Sequence, residues 1–368
     1  MPFAPLVTLE NAWDALKREL GEKVAHLKER DTPLVQPFRG FGTADEFWVR
    51  GRVIEDEGVI SAIHSDSLLV NLKHTYKRYE TDEIPGAELA WSFGGRTGRT
   101  TTDEEGYFDF RFAPGDAFDP ARAWHDVHLL LEHAPGYDAP QLGAMVPVRT
   151  PGAQARFVVI SDIDDTIVYT GAHDFLRHWR TVVANSAQSR EGYEGLAGLY
   201  QGLVGPNERN PLFYVSSSPW NLFDLFERYM SLNGIPLGPM MLKDYGLDEN
   251  KWLTGGHDGH KGQQIDRILD TYPQLPAILV GDSGQRDPAI YADAAKRHPG
   301  RVAAVLIHEV TPNEHEREVA AMRESLDRTP HLVTTSYVEA HEWLRELGFV
   351  ADDQAVTRDA GTAVGSRA

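Results

Sequence analysis

Residues 9–30 set the first rhythm of the chain. Leu9, Trp13, Leu16, Leu20 and Val24 recur at threes and fours among charged residues, the spacing of an amphipathic helix. Pro33 and Pro37 then end it. From about residue 35 to 150 the period shortens to two. "FWVRGRVI", "SLLVNLKHTY", "AELAWSFGGRTGRTTTDEEGYFDFRF" and "WHDVHLLLEHA" are short, rich in β-branched and aromatic residues, and separated by turn-forming residues, which predicts a small β-sandwich. Beyond residue 155 the pattern changes again. "RFVVISD", "LFYVSSS", "PAILVGDS" and "RVAAVLIHEV" are continuous apolar runs, each followed by a helical stretch. Such runs fit strands buried on both faces of a parallel sheet. In "SSSPWNLFDLFERYM" Ser218 is placed to cap a helix with Pro219 at its first position; "HLVTTS" and "YVEAHEWLREL" add a strand and a helix. The expected division is an N-terminal helical segment over 1–34, a β-sandwich over 35–152, an α/β domain over 153–350 and a tail over 351–368 that lacks any apolar period.

Composition narrows the class. The chain has 368 residues, 25% charged and 41% hydrophobic, enough for more than one buried core. Its net charge of −19 argues against gripping nucleic acid or an anionic membrane through the overall field. There are no cysteines, which excludes disulfides and cysteine-ligated zinc. The N-terminus lacks the basic start and apolar stretch of a signal peptide, and no run reaches the length of a membrane span. The expectation is a soluble cytoplasmic protein whose contact with lipid, if any, is peripheral.

The chemistry sits where the apolar runs stop. In an open parallel sheet, ligands bind beyond the carboxyl ends of the strands. There the first run gives Asp162, Asp164, Asp165 and Thr166, the second Ser216, Ser217 and Ser218, and the third "GDSGQRD" with Asp282 and Asp287. Lys261 lies between the second and third, in "GHKGQQI". Carboxylates gathered at one site repel unless a cation joins them. Oxygen ligands alone suit Mg²⁺, with Asp162 and Asp282 each offering an oxygen. A calcium loop of the EF-hand type needs Asp or Asn and then Gly where Thr166 and Ile167 stand. A receiver domain would put its acids in another order around the lysine. A solvated acidic turn capping a helix is the remaining plain alternative.

Taken in order, D-x-D-x-T (Asp162, Asp164, Thr166), a serine ending an apolar strand (Ser216), a lysine (Lys261) and GDxxxxD (Gly281, Asp282, Asp287) resemble the four signature pieces of the haloacid dehalogenase superfamily of phosphotransferases. "SDIDDTIVYTGA", "FYVSSSPWNL", "LVGDSGQRDPAIY", "VQPFRGFGTADEFWVRGRV" and "PLGPMMLKDYG" further resemble the actin-patch-associated phosphatidate phosphatase family and its bacterial relatives. The resemblance implies a Rossmann-like, doubly wound parallel sheet following the all-β sandwich. It also implies Mg²⁺-dependent hydrolysis of phosphatidate to diacylglycerol and phosphate.

The resemblance also assigns roles. Asp162 is the expected nucleophile, forming an aspartyl-phosphate, and Asp164 the general acid and then base. Lys261 stands against the phosphoryl oxygens, Ser216 holds one of them, and Thr166 fixes the loop. The expected metal set is Asp162, Asp164 and Asp282, with Asp287 behind it holding Lys261 or a metal-bound water. Asp165, where the superfamily often carries Gly, is expected to cap or support the turn, and Ser217 and Ser218 to cap a helix. Phe175, Leu176 and Trp179 beside Arg177, His178 and Arg180 form an amphipathic face that either packs under a cap or meets lipid headgroups. His257 and His260 are not expected to ligate metal. "GRTGRTTTDEEGYFDFRF" is similar to a hairpin of transthyretin-like sandwiches, which points to a scaffold. The expected partner is a phosphorylated lipid or a small phosphorylated molecule. A phosphatase of a soluble phosphomonoester and a catalytically silent binding protein stay open as alternatives.

Overall fold

The structure, a computed structural model, describes residues 32–56, 83–137, 142–168, 195–243, 257–310, 316–326 and 328–351. The expected helix over 9–30, the expected strand over 67–76, the segment 173–180 and the tail beyond 351 lie outside these residues.

The N-terminal half is built on one sheet: β1 (Thr32–Pro37), β2 (Gly40–Gly42), β3 (Phe47–Asp56), β4 (Glu88–Phe93), β5 (Arg96–Thr101), β6 (Tyr107–Phe112), β7 (Trp124–His133) and β8 (Leu142–Arg149). Its order is β1-β3-β2-β8-β7-β4-β5, with β6 on the other side of β3. All pairs are antiparallel except β2 with β8. The period-two pattern is visible in β7, where Val127, Leu129 and Leu131 are buried and Asp126, His128 and Leu130 exposed. These side chains meet Val49, Val53, Leu89, Phe108, Val146 and Val148 in one core. Phe47 of β3 packs edge-on against Phe93 of β4, ring centroids 5.2 Å apart, so distant strands of the sheet face each other. Gly94 and Gly95, both at positive φ, make the two-residue turn between β4 and β5.

The second half holds six parallel strands: β9 (Val158–Ser161), β10 (Leu212–Pro219), β11 (Met240–Lys243), β12 (Ala277–Asp282), β13 (Val302–His308) and β14 (His331–Thr334). Their order is β11-β10-β9-β12-β13-β14. The chain therefore winds outward from β9, returns, and winds outward again from β12. Alternate residues serve opposite faces. Val159, Ile278 and Val280 meet α1 (Leu196–Val204), α2 (Phe223–Leu232) and α6 (Tyr337–Glu346). Val158, Ile160 and Leu279 meet α3 (His257–Thr271), α4 (Asp287–Arg297) and α5 (Glu316–Leu326). Burial on both faces is why these strands read as unbroken apolar runs.

The two halves share their cores. Phe38 and Tyr107 join one cluster of the parallel sheet, and Phe41 and Trp48 the other. The guanidinium of Arg267 on α3 stands 4.5 Å over the Trp48 ring. Among the described residues no helix is long and apolar enough to cross a membrane.

Candidate active site

β9 and β12 are neighbours, and the strand order reverses between them. Such a reversal opens a crevice at the carboxyl ends. Asp162 follows β9 directly, and its N–H still donates to Val280 O at 2.8 Å. The chain then turns: Ile163 is buried in the core, and Ile163 O accepts from the N–H groups of Ile167 and Val168 at 2.9 and 3.0 Å. Asp165 takes the left-handed conformation, φ 57°. The turn is held from afar as well, because the Tyr337 hydroxyl donates to Thr166 O at 2.6 Å.

Lys261 enters from the first turns of α3. Its Nζ lies 2.7 Å from Asp162 Oδ1 and 2.7 Å from Asp287 Oδ1, with Gln285 Oε1 at 3.4 Å. Asp287 opens α4 and also accepts the Asp282 N–H on Oδ2 at 3.3 Å. Gly281 of GDxxxxD is required by this packing: a Cβ there would lie 2.4 Å from Asp287 Oδ2. Asp282 Oδ1 accepts the Gln285 N–H at 2.9 Å, whereas Asp282 Oδ2 is buried without a hydrogen-bond partner among the described residues. One oxygen each of Asp162, Asp282 and Asp287 lies within 4.8 Å of the others.

Asp164 faces a different neighbour. Ser216 Oγ donates to Asp164 Oδ2 at 2.5 Å and Ser218 Oγ to the same oxygen at 3.0 Å, while the Ser218 N–H donates to Ser216 Oγ at 2.8 Å. Thus the residues expected to act together are gathered, in two groups. Asp162, Lys261, Asp282 and Asp287 form one. Asp164, Ser216 and Ser218 form the other, so the Asp164 carboxylate stands with the serines rather than within the group of three acids. Thr166 Oγ1 reaches Asp162 Oδ2 at 3.5 Å. Ser218 does not cap a helix. β10 runs on through Pro219, and α2 starts only after Leu222, which supplies no side-chain cap. The extended backbone favoured before proline and the carboxylate across the site fix Ser218 instead.

The electrostatics follow from burial. Burial pushes the Asp162 carboxyl well up, against the pull of Lys261 and together with repulsion from Asp287, Asp164 and Asp282. Asp282 is pushed up to about 7 by burial and by Asp287. Asp164 is raised by burial, although the Ser216 hydrogen bond opposes the shift. Burial alone would lower the Lys261 ammonium, but Asp162 and Asp287 hold it well above its ordinary value. Among the described residues, one ammonium thus balances only part of the charge of these acids. The deficit and the unpaired Asp282 oxygen suit a hard divalent cation with oxygen ligands.

Sequence reasoning did not single out Gln285, whose Nε2 also donates to Asp164 O at 3.4 Å, nor Tyr337. Gln285 lies inside "GDSGQRD", where its place between the two acids was the available signal. Nothing in the sequence pattern links Tyr337 to Thr166.

Comparison with known proteins bears on the same region. The family described as phosphatidate phosphatase APP1, catalytic domain, matches residues 157–309. Phosphatidate phosphatase APP1 of Saccharomyces cerevisiae is 35% identical over 150 residues, which is 40% of this chain and 25% of that protein. An uncharacterized protein of Schizosaccharomyces pombe is 22% identical over 205 residues, 54% of this chain and 33% of that one. The chain therefore spans about a quarter to a third of the length of these curated relatives. Among solved structures, a carbohydrate acetylesterase from Xanthomonas citri overlaps 83% of this chain and 69% of its own at 12% identity, with a TM-score of 0.30. A likeness that loose supports no argument about function.

Proposed function

We propose, from the match of residues 157–309 to the family described as phosphatidate phosphatase APP1, catalytic domain, that this chain is a Mg²⁺-dependent phosphatase. It would cleave phosphatidate to diacylglycerol and phosphate through an aspartyl-phosphate on Asp162. The observation behind this reading is the bridge from Lys261 to Asp162 and Asp287, 2.7 Å to each, beside an Asp282 oxygen that lacks a hydrogen-bond partner among the described residues.

The residues fit the chemistry in turn. Asp162, Asp282 and Asp287 would hold Mg²⁺. When bound, the ion would favour the ionised form of these acids and neutralise charge on the phosphoryl oxygens. The Asp162 carboxylate attacks phosphorus while the bond from phosphorus to the leaving oxygen breaks. Asp164, whose raised affinity for a proton suits an acid, gives that proton to the departing alkoxide. It then takes a proton from water as the water oxygen attacks phosphorus and the bond to Asp162 breaks, which restores the enzyme. Lys261 is held in line with the nucleophile by Asp287 and offers a fixed positive charge to the equatorial oxygens. Ser216 and Ser218 keep the Asp164 carboxylate in place. Phosphatidate resides in bilayers, so the chain would meet it peripherally.

The test is an assay of the purified chain on phosphatidate in mixed micelles, and on sugar phosphates and nucleotides, with Mg²⁺ or with EDTA. Phosphate release that needs Mg²⁺, favours phosphatidate and vanishes in Asp162→Asn is expected. Mass spectrometry of acid-quenched protein should find the phosphate on Asp162. Release that persists in EDTA or in Asp162→Asn would falsify the mechanism, and a preference for the soluble esters would move the substrate away from lipid.

A further inference from the structure

We infer that the N-terminal sheet is part of the working active site: it fixes strand β10 and thereby aims Ser216 and Ser218 at Asp164, with Tyr107 and Asn221 as positioning residues. The inference rests on the phosphatase reading above, in which Asp164 is the general acid.

β10 cannot fix its serines alone. It pairs with β11 in regular register at Tyr214 and Val215, then shifts before Pro219, and it pairs with β9 only over Leu212–Tyr214. Ser216, Ser217 and Ser218 thus lie where the ladder is interrupted, and a strand without regular pairing holds its side chains loosely. The missing constraint comes from the other half of the chain. At the start of β10, the buried Arg149 of β8 donates to the carbonyl of Glu208 and, at 3.0 Å, to that of Asn210. Along the strand, Phe41 meets Phe213 edge-on at 5.4 Å. Just past its end, Phe38 stacks on Trp220 at 4.4 Å, and the Arg50 guanidinium covers the same indole at 5.0 Å. Next to Trp220, Asn221 Oδ1 accepts from the Tyr107 hydroxyl at 3.3 Å and from Arg52 Nη1 at 3.4 Å. Arg52 is itself buried and tied to Gln36 at 2.5 Å. β10 is therefore gripped at its start, its middle and its end by residues that precede the matched catalytic region 157–309. Asn221 is three residues from Ser218, which donates to Asp164, so a shift at the grip reaches the acid directly.

A proton donor matters most when the leaving group is a poor one, and that separates positioning of Asp164 from general damage. kcat/KM should be measured for dioctanoyl phosphatidate, whose leaving group is an alkoxide, and for 4-nitrophenyl phosphate, whose leaving group needs little help. Wild type, Asp164→Asn, Tyr107→Phe and Asn221→Ala are compared, with thermal melts to follow folding. Tyr107→Phe and Asn221→Ala are expected to lose about 3–10-fold on phosphatidate, the worth of one hydrogen bond, and less than about twofold on the aryl ester. Asp164→Asn should discriminate in the same sense and more strongly. If Asp164→Asn discriminates while both grip variants lose equally on the two esters, or lose nothing, the N-terminal sheet does not position the acid and the inference falls alone. If wild type cleaves neither ester, or Asp164→Asn shows no preference, the phosphatase reading itself has failed.

Discussion

The hydroxyl of Tyr337 donates to the carbonyl of Thr166 at 2.6 Å, across 171 residues of sequence. The contact ties the helix after the last strand of the parallel sheet to the turn that bears Asp162 and Asp164. Tyr337 also stacks on His308, ring centroids 4.4 Å apart, so the ring is fixed before its hydroxyl is. In Tyr337→Phe the stack survives and the buried Thr166 carbonyl loses a donor. The expected cost is about 1–3 kcal/mol of stability, the penalty for an unsatisfied buried group, read as a lower melting temperature. An unchanged melt would show that another donor replaces Tyr337.

Lys261 bridges Asp162 and Asp287 with its ammonium. Lys261→Met would leave both buried carboxylates without their ammonium. Breaking a buried pair from one side costs about 3–5 kcal/mol, and losing a fixed charge at the phosphoryl oxygens costs roughly 10²–10³ in kcat. Asp162→Asn is expected to behave differently: it removes one of the crowded acids, so turnover goes while the fold stays, with a melting temperature at or above that of wild type without metal. Denaturant melts and phosphate release on the same preparations check both. A Lys261→Met protein as stable as wild type would contradict the reading of the bridge.

The convergence of Asp162, Lys261 and Asp282 was legible in the sequence because the physics that buries "VVIS" and "AILVGD" on both faces also brings their carboxyl ends to one edge. Local pattern plus the habit of parallel sheets was sufficient there. It was insufficient for Ser218, since a serine before proline reads equally as a helix cap and as a strand residue. The choice is made by a carboxylate 54 residues away. Tyr337, Tyr107 and Asn221 were invisible for the same reason: each acts through long-range hydrogen bonds, and no periodicity records such bonds. The helical start and the segment around Trp179 were readable as patterns but lie outside the described residues.

Without metal, burial and Asp287 hold the Asp282 carboxyl up at about 7, against the pull of Lys261. The folded chain then keeps a proton that the unfolded chain releases at an ordinary carboxylate pKa near 4. The stability this group contributes is present in full below that ordinary value, and it is lost as pH rises through about 7. A divalent cation binds the carboxylate and not the acid, so its grip strengthens over the same range. In EDTA the melting temperature should fall between about pH 6 and pH 8. Added Mg²⁺ should raise it more at the higher pH, and Asp282→Asn should flatten both trends. A Mg²⁺ shift as large at pH 6 as at pH 8 would place the ion on other groups.

Asp165 offers the last prediction, because a residue with a side chain stands there in a backbone conformation that favours glycine. Its φ of 57° is the left-handed region, which disfavours a side chain by roughly 1 kcal/mol or more, and its N–H is committed to Val168 O at 2.8 Å. Its charge also raises the proton affinity of Asp164 and Asp282. Asp165→Gly removes both penalties while adding some freedom to the unfolded chain. A net gain of up to about 1 kcal/mol is therefore expected in metal-free protein. The limb of the pH–rate profile set by Asp164 should move to lower pH as the repulsion goes. Asp165→Val keeps the φ and adds a branched side chain, so it should lose stability despite shedding the same charge. If the valine variant melted above the glycine variant, backbone strain would not be what governs this position.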